Sequence, residues 1–214
     1  MVANYTQLLA EKYRGKLDPQ ADKYIDYAVD GATRMQTLIK DLLQFSRAGQ
    51  AEVGVKTADC GSVVEHALKN LHSTVEENAA VVQWNSLPTV KVDPAQLVLV
   101  FQNLIANAIK FRGDETPVVQ INADRNDHEW TLSVSDNGIG IPPENAQDIF
   151  VIFRRLHTRT EYAGNGIGLS ICKKIIERHG GKIWIEPQVK SGCRFRFTLP
   201  EAFPATTHAR GAQA

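Results

Sequence analysis

Net charge is missing from this chain: 24 lysines and arginines stand against 24 aspartates and glutamates in 214 residues. That balance excludes a whole-protein field able to draw in nucleic acid or an anionic membrane surface. No apolar run is long enough to cross a bilayer and no signal peptide is legible, so neither nucleic acid nor membrane is expected as a partner of this chain. Cysteine is scarce and odd in number. Cys60, Cys172 and Cys193 match no metal-ligand spacing and read as reduced thiols of a cytoplasmic protein. There is no Walker A sequence and no internal repeat. What remains is the composition of a soluble globular protein, 43% hydrophobic and 22% charged, long enough for one or two domains with a real core.

The chain predicts a helix from Asp18 to about Ala48, with Asp18 as N-cap and Pro19 in the first turn. Tyr24, Ala28, Gly31, Met35, Leu38, Leu42 and Phe45 recur at steps of four and three, a heptad seam widened by Ile25, Ala32 and Ile39. Val2 to Arg14 reads as the end of an earlier helix. Two helices in a hairpin still leave a seam wet, so dimerisation as a bundle is expected; packing of the hairpin on its own domain is the alternative. Gly49 to Gly54 is a linker. Beyond it the pattern predicts a strand near Val53 to Thr57, a helix from Ser62 to Glu77, and strands at Val81 to Asn85 and Thr89 to Val92. A helix from Asp93 to about Phe111, strands at Val118 to Ala123 and Trp130 to Ser135, and a helix from Gly166 to His179 come next. A closing hairpin of Ile183 to Glu186 with Arg194 to Leu199 precedes a frayed tail. Helices segregated against a mostly antiparallel sheet make an α+β two-layer sandwich. The expected divisions are a partial hairpin at 1–48, linker and first strand at 49–57, a catalytic domain at 58–200 and a flexible tail at 201–214.

Chemistry concentrates in three places. On the helix from Asp93, Leu97, Phe101, Leu104 and Ala108 form one stripe, and Asn103, Asn107 and Lys110 form another about 120° around. A solvated helix back would explain the second stripe. Against that, asparagine is a mediocre helix former, its carboxamide oxygen is a suitable ligand for Mg²⁺, and lysine is a point charge for phosphate. The second place is DNGIGI, from Asp136 through Gly138 and Gly140 to Ile141. Asp-Asn-Gly is ordinary turn chemistry, but the second glycine and the prolines after it favour a long constrained loop. Asp136 at a strand end could accept from an exocyclic amine, and glycines beside it would let a flat base approach.

The third place is GNGIGL, Gly164 to Leu169, opening a helix whose free amides and dipole favour phosphate oxygens. It is not the dinucleotide fingerprint, which is G-x-G-x-x-G at an early strand-helix turn. Between the two loops, Phe150 and Phe153 are expected to anchor a segment carrying Arg154, Arg155, His157 and Arg159. Arginines in a mobile loop beside a phosphate site suggest a lid, with Arg155 the best placed for a phosphate contact and His157 an exposed loop residue. No histidine is expected to be catalytic. Together the three places describe a pocket for a nucleoside triphosphate and its metal.

From NYTQLL through RMQTLIKDLL, FQNLIANAIKF, DNGIGI, IFVIFRRLHTR and ICKKIIERHGGKIW to FTLP, the chain resembles the C-terminal half of phytochrome-type sensor histidine kinases of two-component systems. The resemblance implies an ATP-binding α/β sandwich of the histidine kinase/gyrase type behind a helical hairpin that forms a homodimer. It implies that Asn107 holds Mg²⁺, with Asn103 and Lys110 near the phosphates. Asp136 would bind the adenine amine, Gly138, Gly140 and Ile141 would shape the base site, and Arg155 would belong to the lid. Gly164, Gly166, Gly168 and Leu169 would cradle the phosphates. Asn165 departs from the family's usual threonine. The phosphoacceptor histidine and the acidic residue after it find no match, so the chain is expected to lack the acceptor motif and not to autophosphorylate alone.

The expected activity is transfer of the ATP γ-phosphoryl to a histidine and then to the aspartate of a response-regulator receiver domain. A gyrase- or chaperone-like ATPase is the second reading. Those proteins place a glutamate base where this chain has Asn103, and an amide cannot take that proton. A non-catalytic dimerising nucleotide sensor is the third.

Overall fold

A computed structural model describes residues 1–50, 54–126, 129–156, 158, 162, 164–187 and 192–201, the side chains of residues 49 and 50 excepted. It divides into two units, Met1–Ser46 and Arg47–Ala214. The expected linker centre, Val53, His157, Arg159 and the tail beyond Glu201 lie outside the described residues.

The first unit is built from α1 (Val2–Tyr13) and α2 (Pro19–Gln50). Asp18 caps α2, its Oδ1 accepting from Ala21 N at 2.7 Å. Gly15 turns the chain at φ +72, and its N–H donates to Asp22 Oδ1 at 2.9 Å. Arg14 pairs with Asp26 across the turn. Ile25 and Ala32, expected only to widen the seam, are the buried residues of α2 in this unit. Tyr24, Met35 and Leu42 of the seam itself stay exposed. A pair of helices covers one narrow face; a full heptad seam needs more neighbours.

The second unit layers helices on a five-stranded sheet of order β2-β4-β5-β7-β6. The strands are β2 (Val81–Trp84), β4 (Val118–Asn126), β5 (Glu129–Asp136), β6 (Ile183–Pro187) and β7 (Cys193–Pro200). β2 runs parallel to β4, and the other pairings are antiparallel. Ile121, Val134, Phe195 and Ile185 lie side by side in one cross-strand row; Asn122, Ser133, Arg196 and Trp184 make the next, on the opposite face. The apolar rows form the core with the helices, and Phe101 meets Phe197 edge-on at 5.8 Å. β1 (Lys56–Asp59) and β3 (Thr89–Val92) pair apart from this sheet as a two-stranded antiparallel ribbon.

Several boundaries differ from expectation: α2 continues through Gly49 to Gln50, into the expected linker, and β4 runs on past Ala123 to Asn126. The first strand starts at Lys56 and ends on Asp59, which caps α3 (Cys60–Asn70) through Ser62 N at 2.8 Å. The single helix expected over Ser62 to Glu77 breaks at Leu71, where ψ opens to 11° before α4 (His72–Glu77). Apolar periodicity continues through that break, so pattern alone does not reveal it. α6 (Gly168–Arg178) begins two residues after Gly166, whose φ of +71 is not helical. By contrast α5 (Pro94–Lys110) has the expected limits, with Asp93 Oδ1 accepting from Ala95 N at 3.0 Å.

Candidate functional site

α5 and β5 deliver the polar groups, and loops after β5 and before α6 close on them. Seven residues of α5 are buried, among them Leu97, Phe101, Leu104 and Ala108. That commits the apolar stripe to the core and leaves Asn103, Asn107 and Lys110 half-buried on another face. Asn103 Nδ2 donates to Leu99 O at 2.8 Å, which sets the side chain with its oxygen toward the start of α6. A Cβ built on Gly168 would lie 2.5 Å from that Oδ1. About two turns further on, Lys110 Nζ sits 2.9 Å from where a Cβ of Gly164 would stand. Asn107 makes no side-chain hydrogen bond among the described residues. The two glycines therefore lie close against the amide and ammonium stripe.

Lys110 Nζ also lies 4.3 Å from the centroid of the Phe111 ring. Burial lowers its pKa, and the positive charge of Arg155 lowers it further. Arg155 itself donates to the carbonyls of Tyr162 at 2.6 Å and Thr158 at 3.2 Å. The Tyr162 ring packs on Phe111 with centroids 4.9 Å apart, so Tyr162 rests on the end of α5. Phe150 anchors this region, buried and edge-on to Phe195 at 6.4 Å. Phe153 does not share that role: it is 53% exposed, with φ +66. Its N–H donates to Gly166 O at 2.9 Å, and a Cβ on Gly166 would meet Arg154 O at 2.6 Å. Of the two aromatics expected to anchor the arginine segment, Phe150 alone is buried, and Phe153 meets the glycine loop through its backbone.

At the other end, Asp136 is the last residue of β5. Its Oδ1 accepts from Gly138 N at 2.9 Å and Cys193 N at 3.3 Å, and its Oδ2 accepts from the Cys193 thiol at 2.9 Å. Asn137 pins the loop to the chain before β4, accepting from Val118 N at 2.8 Å and donating to Thr116 O at 2.9 Å. A Cβ on Gly138 would fall 2.4 Å from Phe111 O, the carbonyl that accepts from Ile139 N. Gly140 has φ +78 and faces Gly192, whose own Cβ would lie 1.9 Å from Asp136 O. The glycines of this loop answer first to the chain's own backbone, packed against the end of α5 and the start of β7. That packing brings Asp136 and Phe111 into one neighbourhood. Ile141 and Leu169 are half-buried.

Gly192, Cys193, Asn137, Phe111 and Tyr162 were not among the expected site residues. Gly192 and Cys193 come from a strand start far along the chain, and only the β5–β7 pairing places them beside Asp136. A glycine just before a strand was the one local hint.

The profile of the family described as "Histidine kinase-, DNA gyrase B-, and HSP90-like ATPase" matches residues 92–202. That of the "His Kinase A (phospho-acceptor) domain" matches residues 2–51. Cyanobacterial phytochrome A of Nostoc sp. is 49% identical over 199 residues, 93% of this chain and 26% of that protein. Phytochrome-like protein Cph1 of Synechocystis sp. is 48% identical over 199 residues, 93% of this chain and 27% of its own. The chain thus spans about a quarter of the length of these relatives. Full-length ShkA in complex with AMPPNP superposes with TM-score 0.71 at 26% identity, over 95% of this chain and 43% of that one. Histidine kinase ThkA in complex with the response regulator TrrA gives TM-score 0.68 at 25% identity, over 92% and 56%.

The phospho-acceptor domain is therefore present, and its match lends no support to the expectation that the acceptor motif is missing; residues 2–51 themselves contain no histidine, the first being His66. No helix among the described residues is long and apolar enough to cross a membrane. Matched over more than half its length, the chain belongs to the histidine kinase-, DNA gyrase B- and HSP90-like ATPase family, and it carries the ATP-binding and phospho-acceptor domains of a two-component sensor histidine kinase.

Proposed function

We propose that this chain binds ATP with Mg²⁺ between α5 and the two glycine loops and transfers the γ-phosphoryl to a histidine, for relay to the aspartate of a response-regulator receiver domain. The observation that carries the reading is the approach of Gly168 to Asn103 and of Gly164 to Lys110, 2.5 and 2.9 Å at the Cβ positions. Side chains there would displace the Asn103 amide and the Lys110 ammonium from the glycine-loop amides they face. Asp136 takes the adenine amine, with Gly138, Gly140 and Ile141 around the base. Gly164, Gly166, Gly168 and Leu169 supply amides to the phosphates, and the N-terminus of α6 adds its dipole.

The donor set fits a hard divalent ion. Asn107 has a carboxamide that no described residue engages, and Asn103 stands one turn away on the same face of α5. A small oxygen-seeking cation with phosphate and water as its remaining ligands suits both. Bound there, Mg²⁺ neutralises charge on the transferring phosphoryl group. Lys110 balances phosphate charge as a point cation. Arg155 leaves the carbonyls of Thr158 and Tyr162 for a phosphate oxygen when the lid closes. Asn103 offers no base for an attacking water, which sets this site apart from the gyrase and chaperone ATPases.

The exposed Tyr24, Met35 and Leu42 stripe supports a homodimer through the hairpin. The response-regulator complex of ThkA supports a receiver domain as the next partner. A cytoplasmic site of action accords with both. None of the six histidines lies in residues 2–51, so this polypeptide is read as supplying the phosphoryl rather than receiving it. The same fact favours the second reading, a nucleotide-sensing dimer without transfer.

The test uses the purified 214-residue chain, labelled ATP and Mg²⁺, with and without an added hairpin bearing an acceptor histidine. Label is expected on the added hairpin and not on the chain. ATP binding without transfer to any hairpin supports the sensor; acid-labile label on the chain itself overturns the reading of its acceptor.

A further inference from the structure

Asp136 is held by β7 as much as by its own loop. Cys193, the first residue of β7, is 5% exposed, and its Sγ lies 2.9 Å from Asp136 Oδ2. Its backbone N–H reaches Oδ1 at 3.3 Å, beside Gly138 N at 2.9 Å. Burial raises the thiol pKa, and the negative charge of Asp136 raises it further. The sulfur therefore keeps its proton and can only donate to the carboxylate.

We propose that Cys193 is a positioning residue for purine selection: its S–H fixes Asp136 so that the carboxylate's last open acceptor place takes an exocyclic amine. A carboxylate has roughly four acceptor places. Gly138 N and Cys193 N occupy Oδ1, the thiol occupies one place on Oδ2, and one on Oδ2 is left among the described contacts. Rotation of the carboxylate would break all three bonds at once, so the open place has a set direction. An amino group at that place donates, whereas a carbonyl there sets oxygen against oxygen. Without the thiol, Oδ2 turns more freely and the distinction between the two weakens. Gly192 is part of the device, because a Cβ there would lie 1.9 Å from Asp136 O and push the strands apart.

The inference rests on the reading of Asp136 as the base-binding residue. It is tested by titration calorimetry of the whole chain with ATP and with inosine triphosphate, which has a carbonyl in place of the amine. Wild type is expected to prefer ATP. In Cys193→Ala and the bulkier apolar Cys193→Val, ATP affinity is expected to fall about tenfold, the scale of one hydrogen bond to a charged group. Inosine triphosphate should bind as before, so the ratio between the two collapses. Cys193→Ser keeps a donor and is expected to hold the wild-type ratio.

A merely structural role would lower both affinities together. A wild-type ratio in the Ala and Val variants, or a Ser variant that behaves like Ala, overturns the proposal. Asp136→Asn separates the two levels. If it keeps the wild-type preference, the base-site reading itself fails; if it loses the preference while the Cys193 variants keep it, only the role of Cys193 fails.

Discussion

Asn103 of α5 and Gly168 of α6 are in contact, so close that a Cβ on Gly168 would stand 2.5 Å from the Asn103 carboxamide oxygen. The amide is not free to step aside without cost, because its nitrogen is bonded to Leu99 O at 2.8 Å. Two positions 65 apart in sequence thus share one small space, and glycine at 168 leaves that space to the Asn103 amide.

Gly168→Ala tests this relationship. Alanine suits a first helical turn, so the fold should survive; a cost of about 1–2 kcal/mol from the forced shift of Asn103 is the upper range expected. ATP affinity by calorimetry is expected to fall at least about tenfold. Unchanged affinity would remove Gly168 from the cradle.

Asn107→Ala removes the carboxamide that no described neighbour uses. Little stability is at stake at a half-buried position where alanine is the better helix former. The expected outcome is a rise of about tenfold or more in the Mg²⁺ concentration needed for half-maximal ATP binding, the loss of one metal ligand. Affinity for ATP in excess chelator should match wild type. A variant with the wild-type metal requirement would show that Asn107 holds no ion.

Gly181→Ala is a prediction about the fold alone. A Cβ there would lie 1.8 Å from Thr198 O, a backbone atom of β7 that cannot swing away. The loss is expected to be about 2–4 kcal/mol in urea unfolding, as for other forced backbone shifts. Gly180, just before it at φ +79, ends the helix by its conformation, while Gly181 lets the sheet come close.

Acid should weaken the second unit through His179. This 2%-exposed side chain accepts from Asp93 N at Nε2 (3.0 Å), and its Nδ1 lies 2.8 Å from Ile175 O. Burial lowers its pKa; the contact with Ile175 and the charge of Asp93 oppose the shift, and Arg178 adds to it. The unfolded chain therefore takes up the proton first as pH falls. The contribution is whole above about pH 6.5, the ordinary histidine value, and is lost as pH drops below it toward the folded pKa. Denaturant unfolding at pH 7.5, 6.5 and 5.5 should show His179→Gln with a shallower slope than wild type, by up to about 1.4 kcal/mol per pH unit. Parallel slopes would assign the acid sensitivity to other groups.

The hairpin makes a last prediction. Met35 is 57% exposed and Leu42 44%, on a helix whose buried residues in the first unit are Ile25 and Ala32. Met35→Glu with Leu42→Glu is expected to convert a dimer to monomer in light scattering, with helix content by circular dichroism unchanged. A dimer that persists would place the interface elsewhere.

Much of this protein was legible because its signals are local. A proline at the first turn of α5, an aspartate before it and apolar residues every three or four places define that helix without reference to anything else. The same arithmetic separates Asn103, Asn107 and Lys110 from the core face, since a helix fixes which residues share a side. Resemblance then supplied the expected roles. Local signals were silent or misleading elsewhere: the apolar period runs straight through the break at Leu71, and Phe150 and Phe153 have helical spacing although the 3₁₀ turn holding Phe150 ends before Phe153.

What the sequence determined by itself was the order of elements and the chemical character of each face, because capping, turn geometry and hydrophobic period act over a few residues. Only the tertiary structure decided that β3 joins β1 while β2 joins the main sheet, that Gly168 meets Asn103, and that Cys193 bonds Asp136. Those outcomes depend on strand pairing and close packing between segments far apart in the chain, where each contact exists only once many others have formed.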